Sequence, residues 1–157
     1  MFCAGIDSWQ SINKLGLTLP DSPAPAANYV PYVQVGNLIF VSGQISMDAN
    51  GMIKGVLGDN MSVEDGAAAA RLCGLSLLAQ VKAACGGDFS RFKRVVKLTG
   101  FVNSTKEFGD QPKVVNGCSD LLVEVLGEAG RHSRSAVSAG ALPFGVAVEI
   151  EGIFEIE

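Results

Sequence analysis

The amino-acid sequence predicts an α+β domain in which a mixed β-sheet packs against two long helices on one of its faces. Three observations lead to this class. Alternating apolar residues, the pattern of half-buried strands, occur near both ends of the chain. Two long segments with apolar residues at three-to-four spacing indicate helices between them. The chain has 157 residues, 48% of them hydrophobic, which suits one core. The predicted order is β-β-(β)-α-β-α-β-β.

A short helix and an extended arm are predicted before the sheet begins. The helix starts at Ser8, a suitable cap, and stops at Gly16. The stretch that follows holds four of the six prolines, which favour an extended backbone. Because too little chain precedes this stretch to form a domain, we assign 1–157 to a single domain, with an N-terminal helical extension over 1–20 and a core over 21–157.

The clearest strand signal is a hairpin formed by Tyr32–Val35 and residues 38–42. The pair Gly36-Asn37 between them is typical of a two-residue turn. Residues 51–58 are punctuated by glycines and predict a loop with one short strand.

Two amphipathic helices are predicted between the strands. The first opens with a capping box at Ser62 and Asp65 and ends at two glycines. The second starts at Asp110 and Pro112 and ends in the glycine-rich segment Gly127–Gly130. Their apolar stripes consist of Ala67, Ala70, Leu75, Leu78 and Val81 in the first helix and Val114, Cys118, Leu121, Leu122 and Val125 in the second.

Three later strands are predicted over residues 94–103 and around 134–141 and 146–156. In the last strand apolar residues alternate with glutamates, so we expect one buried face and one acidic face. Its apolar members are Val148, Ile150, Phe154 and Ile156.

Composition and charge limit the classes of function. Lysine and arginine number 12 and aspartate and glutamate 16, a net charge of −4. This balance argues against a general nucleic-acid binder, because phosphate backbones are bound by basic surfaces. Charged residues make up only 18%, so we expect part of the surface to be hidden between subunits. No signal peptide or membrane-spanning run is recognisable, which predicts a cytoplasmic protein without membrane contact.

The cysteines and the single histidine match no recognisable catalytic or metal-binding pattern. Cys3, Cys73, Cys85 and Cys118 are widely spaced, so we expect catalytically silent thiols in a reducing compartment. A triad built on His132 is disfavoured, because neither neighbouring serine of an extended strand can easily present its hydroxyl to the ring. Nucleotide-binding loops and serine-hydrolase elbows are absent from the sequence, and we expect no metal and no cofactor.

Arg134 is the residue whose position suggests chemistry. It stands at the start of a predicted strand whose other residues are small or apolar, an unusual place for a guanidinium unless an anion meets it. The residues alone leave three explanations open: an anionic ligand, a neighbouring acid of the protein, or a side chain that extends to water. Glu149 lies on a strand near the same sheet, but the residues alone favour its being one of a row of solvated glutamates.

Four short motifs keep a specific order and spacing along the chain. They are SGQI at 42–45, VVNG at 114–117, RSAV at 134–137 and LP with VEIE within 142–151. Together they resemble the RidA/YjgF family of small enamine/imine deaminases, also called the YjgF/L-PSP family. The likeness runs from about residue 20 to the C-terminus, and the segment GRHSRSAV resembles a less characterised branch of it.

The resemblance implies a chorismate-mutase-like fold assembled as a homotrimer with clefts between subunits. It implies catalytic roles for Arg134, which binds the substrate carboxylate, and for Glu149. The residues that it implies to line or support the same cleft are Tyr29, Ser42, Gly43 and Asn116.

We therefore expect cofactor-independent hydrolysis of reactive enamines or imines, such as 2-aminoacrylate, to 2-oxo acids and ammonia. Glu149 orients or deprotonates the attacking water. Typical family members have a cysteine two residues after the arginine, where this chain has Ala136. This departure keeps open a non-catalytic module that binds small carboxylate metabolites. A further alternative is ribonuclease activity, which some members of the family have, but the net charge and the lone histidine argue against it.

Overall fold

A computed structural model describes residues 8–22 and 27–157 of the chain. Short 3₁₀ turns precede β5, β6 and β7, which are defined here together with the other elements. The helices are α1 (Ser8–Lys14), α2 (Val63–Ala84) and α3 (Gln111–Leu126), and the strands are β1 (Tyr32–Val35), β2 (Leu38–Ile45), β3 (Met47–Asp48), β4 (Gly51–Met52), β5 (Phe92–Asn103), β6 (Ser133–Ala139) and β7 (Val148–Ile156).

Five strands form one mixed sheet in the order β1-β2-β7-β5-β6. All neighbours are antiparallel except β5 and β6, which run parallel and are linked by the crossover helix α3. The strands β3 and β4 pair with each other in a separate ribbon. β6 is therefore an edge strand, with α3 leading directly into it.

The helices α2 and α3 cover one face of the sheet and close a single apolar core. On β7 the predicted alternation is observed, because Val148, Ile150, Phe154 and Ile156 are fully buried. The two helices approach closely at Gly117, where an added Cβ would collide with the backbone of Ala67. A glycine at this position lets the helix backbones come together, which keeps α3 tight against the sheet.

The opposite face of the sheet carries exposed apolar side chains. Val33 pairs with Phe40 across the β1–β2 hairpin, and Phe40 pairs in turn with Ile153 of β7. Val33 is 51% exposed and Phe40 is 42% exposed. Since opposite partners share a face, these residues form an apolar strip on the side of the sheet away from the helices.

The predicted α+β class, with its mixed sheet and two long helices on one face, is confirmed. Strand boundaries differ by a few residues, since β2 continues to Ile45 and β6 ends at Ala139. The Ser62 hydroxyl accepts from the Asp65 amide as the capping pattern requires, whereas the Asp110 side chain makes no cap bond. None of the helices in 8–22 and 27–157 is long and apolar enough to cross a membrane.

Candidate functional site

The Arg134 guanidinium is held by neutral groups. Its Nη1 donates to Ser119 Oγ at 2.9 Å, and its Nη2 donates to the Pro112 carbonyl at 3.1 Å, both on α3. The ion pairs found among the described residues do not include Arg134. Within 8–22 and 27–157, a neighbouring acid, which the sequence left open as a partner, makes no ion pair with Arg134. Two of the five guanidinium N–H groups are used by these contacts, which leaves three for a ligand.

The serine that binds Arg134 is itself within hydrogen-bond distance of a histidine. His132 Nε2 lies 2.9 Å from Ser119 Oγ, and His132 Nδ1 lies 2.6 Å from the Gly130 carbonyl oxygen. The prediction that the Ser133 hydroxyl does not reach the ring of His132 agrees with the structure, because that hydroxyl donates a hydrogen bond to the Val96 carbonyl. Ser119 was missed, since it is 13 residues away in the chain and only the packing of α3 beside β6 brings it to the ring.

Asn116 and Cys118 lie on α3 close to this group. Asn116 is exposed and comes three positions before Ser119, which places the two on one side of the helix. Cys118 is fully buried, and burial raises the pKa of its thiol to about 12 although the Arg134 charge opposes the rise. The Cys118 thiol therefore lies close enough to Arg134 for this charge to act on it.

Glu149 lies beside Gly43 at the end of β2. The Glu149 carboxylate occupies the space where a Cβ at position 43 would stand. Partial burial raises the pKa of the Glu149 carboxyl, and the negative charge of Glu151 raises it further. A carboxyl group with a raised pKa exchanges protons closer to neutral pH, as a general base requires.

A cleft of about 770 Å³ opens at this end of β2. The strand β1 pairs only as far as Val41, so the last residues of β2 form an open edge. Phe144, 69% exposed and with a positive φ of 59°, stands at the cleft. The cleft is lined by four of the predicted site residues, Tyr29, Ser42, Gly43 and Glu149, together with apolar residues of α2 such as Leu72 and Leu75.

Within one chain, the predicted site residues lie in two separate groups. Arg134 is the partner of Leu98 on β5, and Glu149 is the partner of Phe101 on the same strand. Positions three apart on a strand point to opposite faces, so Arg134 faces the helices and Glu149 faces the other side. We call Asn116 and Arg134 the arginine group. The glutamate group is Tyr29, Ser42, Gly43 and Glu149.

Within 8–22 and 27–157, no group of three or more histidine, cysteine, aspartate or glutamate side chains is arranged to hold a metal ion. Cys73, Cys85 and Cys118 are buried free thiols. Burial raises the pKa of Cys73 and of Cys85 as well. Cys3 lies outside the described residues.

Comparison with known proteins gives the family. Residues 10–151 match the family model described as "YjgF/chorismate_mutase-like, putative endoribonuclease". The chain belongs to the YjgF family. Its fold is the chorismate-mutase-like fold of that family, as the sequence resemblance implied.

Several known proteins resemble the chain over nearly its whole length. It is 48% identical to protein TCP17 of Trypanosoma cruzi over 93% of this chain and 92% of that protein. It is 29% identical to the 2-iminobutanoate/2-iminopropanoate deaminase of Dermatophagoides farinae over 90% of this chain and 95% of that protein. The crystal structure of Atu1372 from Agrobacterium tumefaciens has 46% identity and a TM-score of 0.88, covering 96% of this chain and 94% of the other.

Proposed function

We propose that the protein hydrolyses reactive enamines and imines derived from amino acids to 2-oxo acids and ammonia, without a cofactor. The observation that carries the proposal is the Arg134 guanidinium, which is half-buried and held by a hydroxyl and a carbonyl rather than by an acid. A guanidinium prepared in this way suits the planar carboxylate of such substrates. The deaminase names of relatives in the same family give this chemistry further support.

The reaction needs water, a proton carrier and a fixed carboxylate. A 2-aminoacrylate takes a proton on its methylene carbon and loses one from nitrogen, which gives the imine. Water then adds to the C=N carbon while the π electrons move to nitrogen, which takes a proton. The nitrogen takes a second proton as the added hydroxyl loses its own, the C–N bond breaks, ammonia leaves and the carbonyl of the 2-oxo acid forms. Glu149 accepts the proton of the attacking water and returns it to the leaving nitrogen, for which its raised pKa is suitable.

The arrangement proposed for the active site requires a second copy of the chain. The arginine group and the glutamate group face opposite sides of the sheet, so one chain cannot offer both to one small substrate. We propose a homotrimer in which the arginine group of one subunit meets the glutamate group of the next. The exposed apolar strip with Val33 and Phe40 supports burial of this sheet face between subunits.

The direct test is turnover of freshly generated 2-aminoacrylate, followed as pyruvate and ammonia. The wild-type protein is expected to accelerate hydrolysis above the spontaneous rate. Arg134→Ala is expected to lose both turnover and affinity for 2-oxo acids. Glu149→Gln keeps the shape but loses the base, so it is expected to bind 2-oxo acids and turn over slowly. Hydrolysis at the spontaneous rate with the wild-type protein would contradict the proposal.

A second candidate is a binding module that holds small carboxylate metabolites without turnover. It is favoured by Ala136, which lies on the same side of β6 as Arg134 and replaces the cysteine typical of the family. Tight 2-oxo acid binding without pyruvate formation would select this candidate. The family description also includes endoribonucleases, so RNA cleavage is measured on the same preparation. The net charge of −4 argues against that activity.

A further inference from the structure

When the His132 ring is neutral, the hydrogen bonds that link Arg134, Ser119, His132 and Gly130 have only one consistent direction. A carbonyl oxygen only accepts, so the Nδ1 of His132 carries the proton that faces Gly130. In the neutral ring Nε2 is then an acceptor, and the Ser119 hydroxyl donates to it. The guanidinium only donates, so Ser119 Oγ accepts from Arg134. The chain therefore runs from Arg134 through Ser119 and His132 to the Gly130 carbonyl.

The surroundings favour the neutral ring on which this direction depends. Burial lowers the pKa of His132, and the positive charge of Arg134 lowers it further, whereas the bond to the Gly130 carbonyl opposes both. Charged residues on the neighbouring elements are exposed. Arg131 and Glu128 pair with each other at 3.0 Å, Asp120 lies on α3 next to Ser119, and Lys97 of β5 is the partner of Ser133. At neutral pH the ring is an acceptor for Ser119.

The far end of the chain of bonds is anchored by close packing. Gly130 lies against α3 so tightly that an added Cβ would stand 2.6 Å from the carbonyl carbon of Leu122 and 2.9 Å from the amide nitrogen of Val123. Its carbonyl, which orients His132, is therefore fixed to the helix that also carries Ser119. The Pro112 carbonyl holds the second terminal nitrogen of Arg134 from the same helix.

Two contacts on different terminal nitrogens, together with the attachment of the side chain at Nε, fix the plane of the guanidinium. Contact with the Pro112 carbonyl alone would leave the guanidinium free to swing about that bond. The second contact, to Ser119, stops this motion and leaves three N–H groups for a ligand. A long arginine side chain otherwise loses considerable rotamer freedom when it binds, which weakens binding.

We propose that Ser119 and His132 are positioning residues that fix the plane of the Arg134 guanidinium for two-point contact with a substrate carboxylate. The inference rests on the proposed function, in which Arg134 binds that carboxylate. It goes beyond that function because it assigns roles to two residues outside both groups.

The test compares removal and conservative replacement of each positioning residue. Ser119→Ala removes the hydroxyl, whereas Ser119→Thr retains it. His132→Leu removes the acceptor, whereas His132→Gln places an amide oxygen near the former Nε2. Ser133→Ala is the matched control, because its hydroxyl lies on the same strand and bonds to the Val96 carbonyl instead. Each variant is checked for its oligomeric state and melting temperature.

The readouts are the affinity for pyruvate, the affinity for its uncharged amide, and kcat/KM with 2-aminoacrylate. We expect Ser119→Ala and His132→Leu to lose about tenfold in pyruvate affinity and in kcat/KM, as loss of one hydrogen bond to a charged group would cause. Affinity for pyruvamide changes little, so the preference for the carboxylate falls. Ser119→Thr, His132→Gln and Ser133→Ala are expected to stay near wild type.

The outcomes separate the two proposals. If the wild-type protein binds pyruvate and turns over its substrate, and the folded Ser119→Ala and His132→Leu variants do so equally well, the positioning role is wrong and the proposed function stands. If the wild-type protein neither binds 2-oxo acids nor turns over 2-aminoacrylate, the proposed function fails and the positioning role fails with it. If Ser119→Ala or His132→Leu does not fold, the conservative variant at the same position decides. A folded Ser119→Thr or His132→Gln protein that has lost pyruvate affinity and kcat/KM would also contradict the positioning role.

Discussion

Replacing Gly43 with alanine tests the role of Glu149 without changing Glu149 itself. The added Cβ would stand 2.9 Å from Cδ and 3.1 Å from Cγ of Glu149, and closer still to Oε1. Carbon atoms in ordinary contact are separated by about 3.5 to 4.0 Å, so the carboxylate end must move by roughly 1 Å. The backbone at Gly43 does not have a positive φ, and alanine can adopt it without strain.

The expected result is a large loss of activity with a small loss of stability. The clash involves the far end of a flexible side chain, which can rotate away at a cost of about 0.5 to 1.5 kcal/mol in the free energy of unfolding. Misplacement of a reacting group by about 1 Å can cost on the order of a hundredfold in rate. We therefore expect kcat for 2-aminoacrylate to fall about a hundredfold.

The assay compares Gly43→Ala with Gly140→Ala, a matched glycine substitution. Gly140 is exposed, and an added Cβ there meets no atom within 4 Å. Its variant is expected to keep wild-type turnover and stability. Unchanged turnover in a stably folded Gly43→Ala protein would show that Glu149 does not act in catalysis from this position, because the carboxylate cannot keep its place beside the new methyl group.

Three further predictions follow from the same geometry. Arg134→Lys is expected to lose nearly as much 2-oxo acid affinity and kcat/KM as Arg134→Ala, because one ammonium cannot keep both helix contacts and grip two carboxylate oxygens; substantial activity of the lysine variant would contradict this. Cys73, Cys85 and Cys118 are expected to resist a thiol reagent until denaturant is added, because burial raises the pKa of each thiol; rapid native labelling of Cys118 with loss of activity would show otherwise. Glu149→Gln is expected to raise the melting temperature at neutral pH. Because the pKa of Glu149 is raised in the folded protein, its ionisation lowers the free energy of unfolding as the pH rises through the folded-state pKa. The higher melting temperature of Glu149→Gln should therefore disappear at a pH below the ordinary carboxyl range. A difference in melting temperature between the variant and the wild type that stays constant across pH would exclude this cause.

The sequence carried much of the fold because its strongest patterns are local. The alternation of Val148, Ile150, Phe154 and Ile156 with glutamates identifies both the strand and its buried face, and every one of these apolar residues is buried. The strand order could not be read in this way. It depends on α3 carrying the chain from β5 to a parallel neighbour at the edge, which is a long-range choice of packing.

The candidate site was predictable only in part. Arg134 was visible because a guanidinium is unusual in a strand of small residues. Ser119 was not, since a serine on an amphipathic helix has no distinguishing neighbour in sequence, and its link to Arg134 and His132 arises from α3 packing beside β6. Gly43 came from the family resemblance alone, and the structure supplies its physical reason, which is the space taken by the Glu149 carboxylate.

The division of the site residues between two sheet faces was also not predicted from spacing. It follows from the strand register, because Arg134 pairs with Leu98 and Glu149 pairs with Phe101, and these two residues of β5 point to opposite faces of the sheet. Because Arg134 and Glu149 lie on opposite faces, we favour a site assembled between two subunits. Two variants that are each inactive could then restore activity when they assemble together, which a site within one chain could not do.

Mixing two inactive variants tests that arrangement most directly. Arg134→Ala and Glu149→Gln are purified separately, each checked as an assembled protein of low turnover, and then unfolded together and reassembled at equal amounts. In a cyclic trimer with clefts between neighbouring subunits, about a quarter of the clefts then receive both an intact Arg134 and an intact Glu149. We expect the mixture to recover about that fraction of wild-type 2-aminoacrylate turnover. Turnover of the mixture no higher than the average of the two variants, with mixed assemblies present, would contradict it.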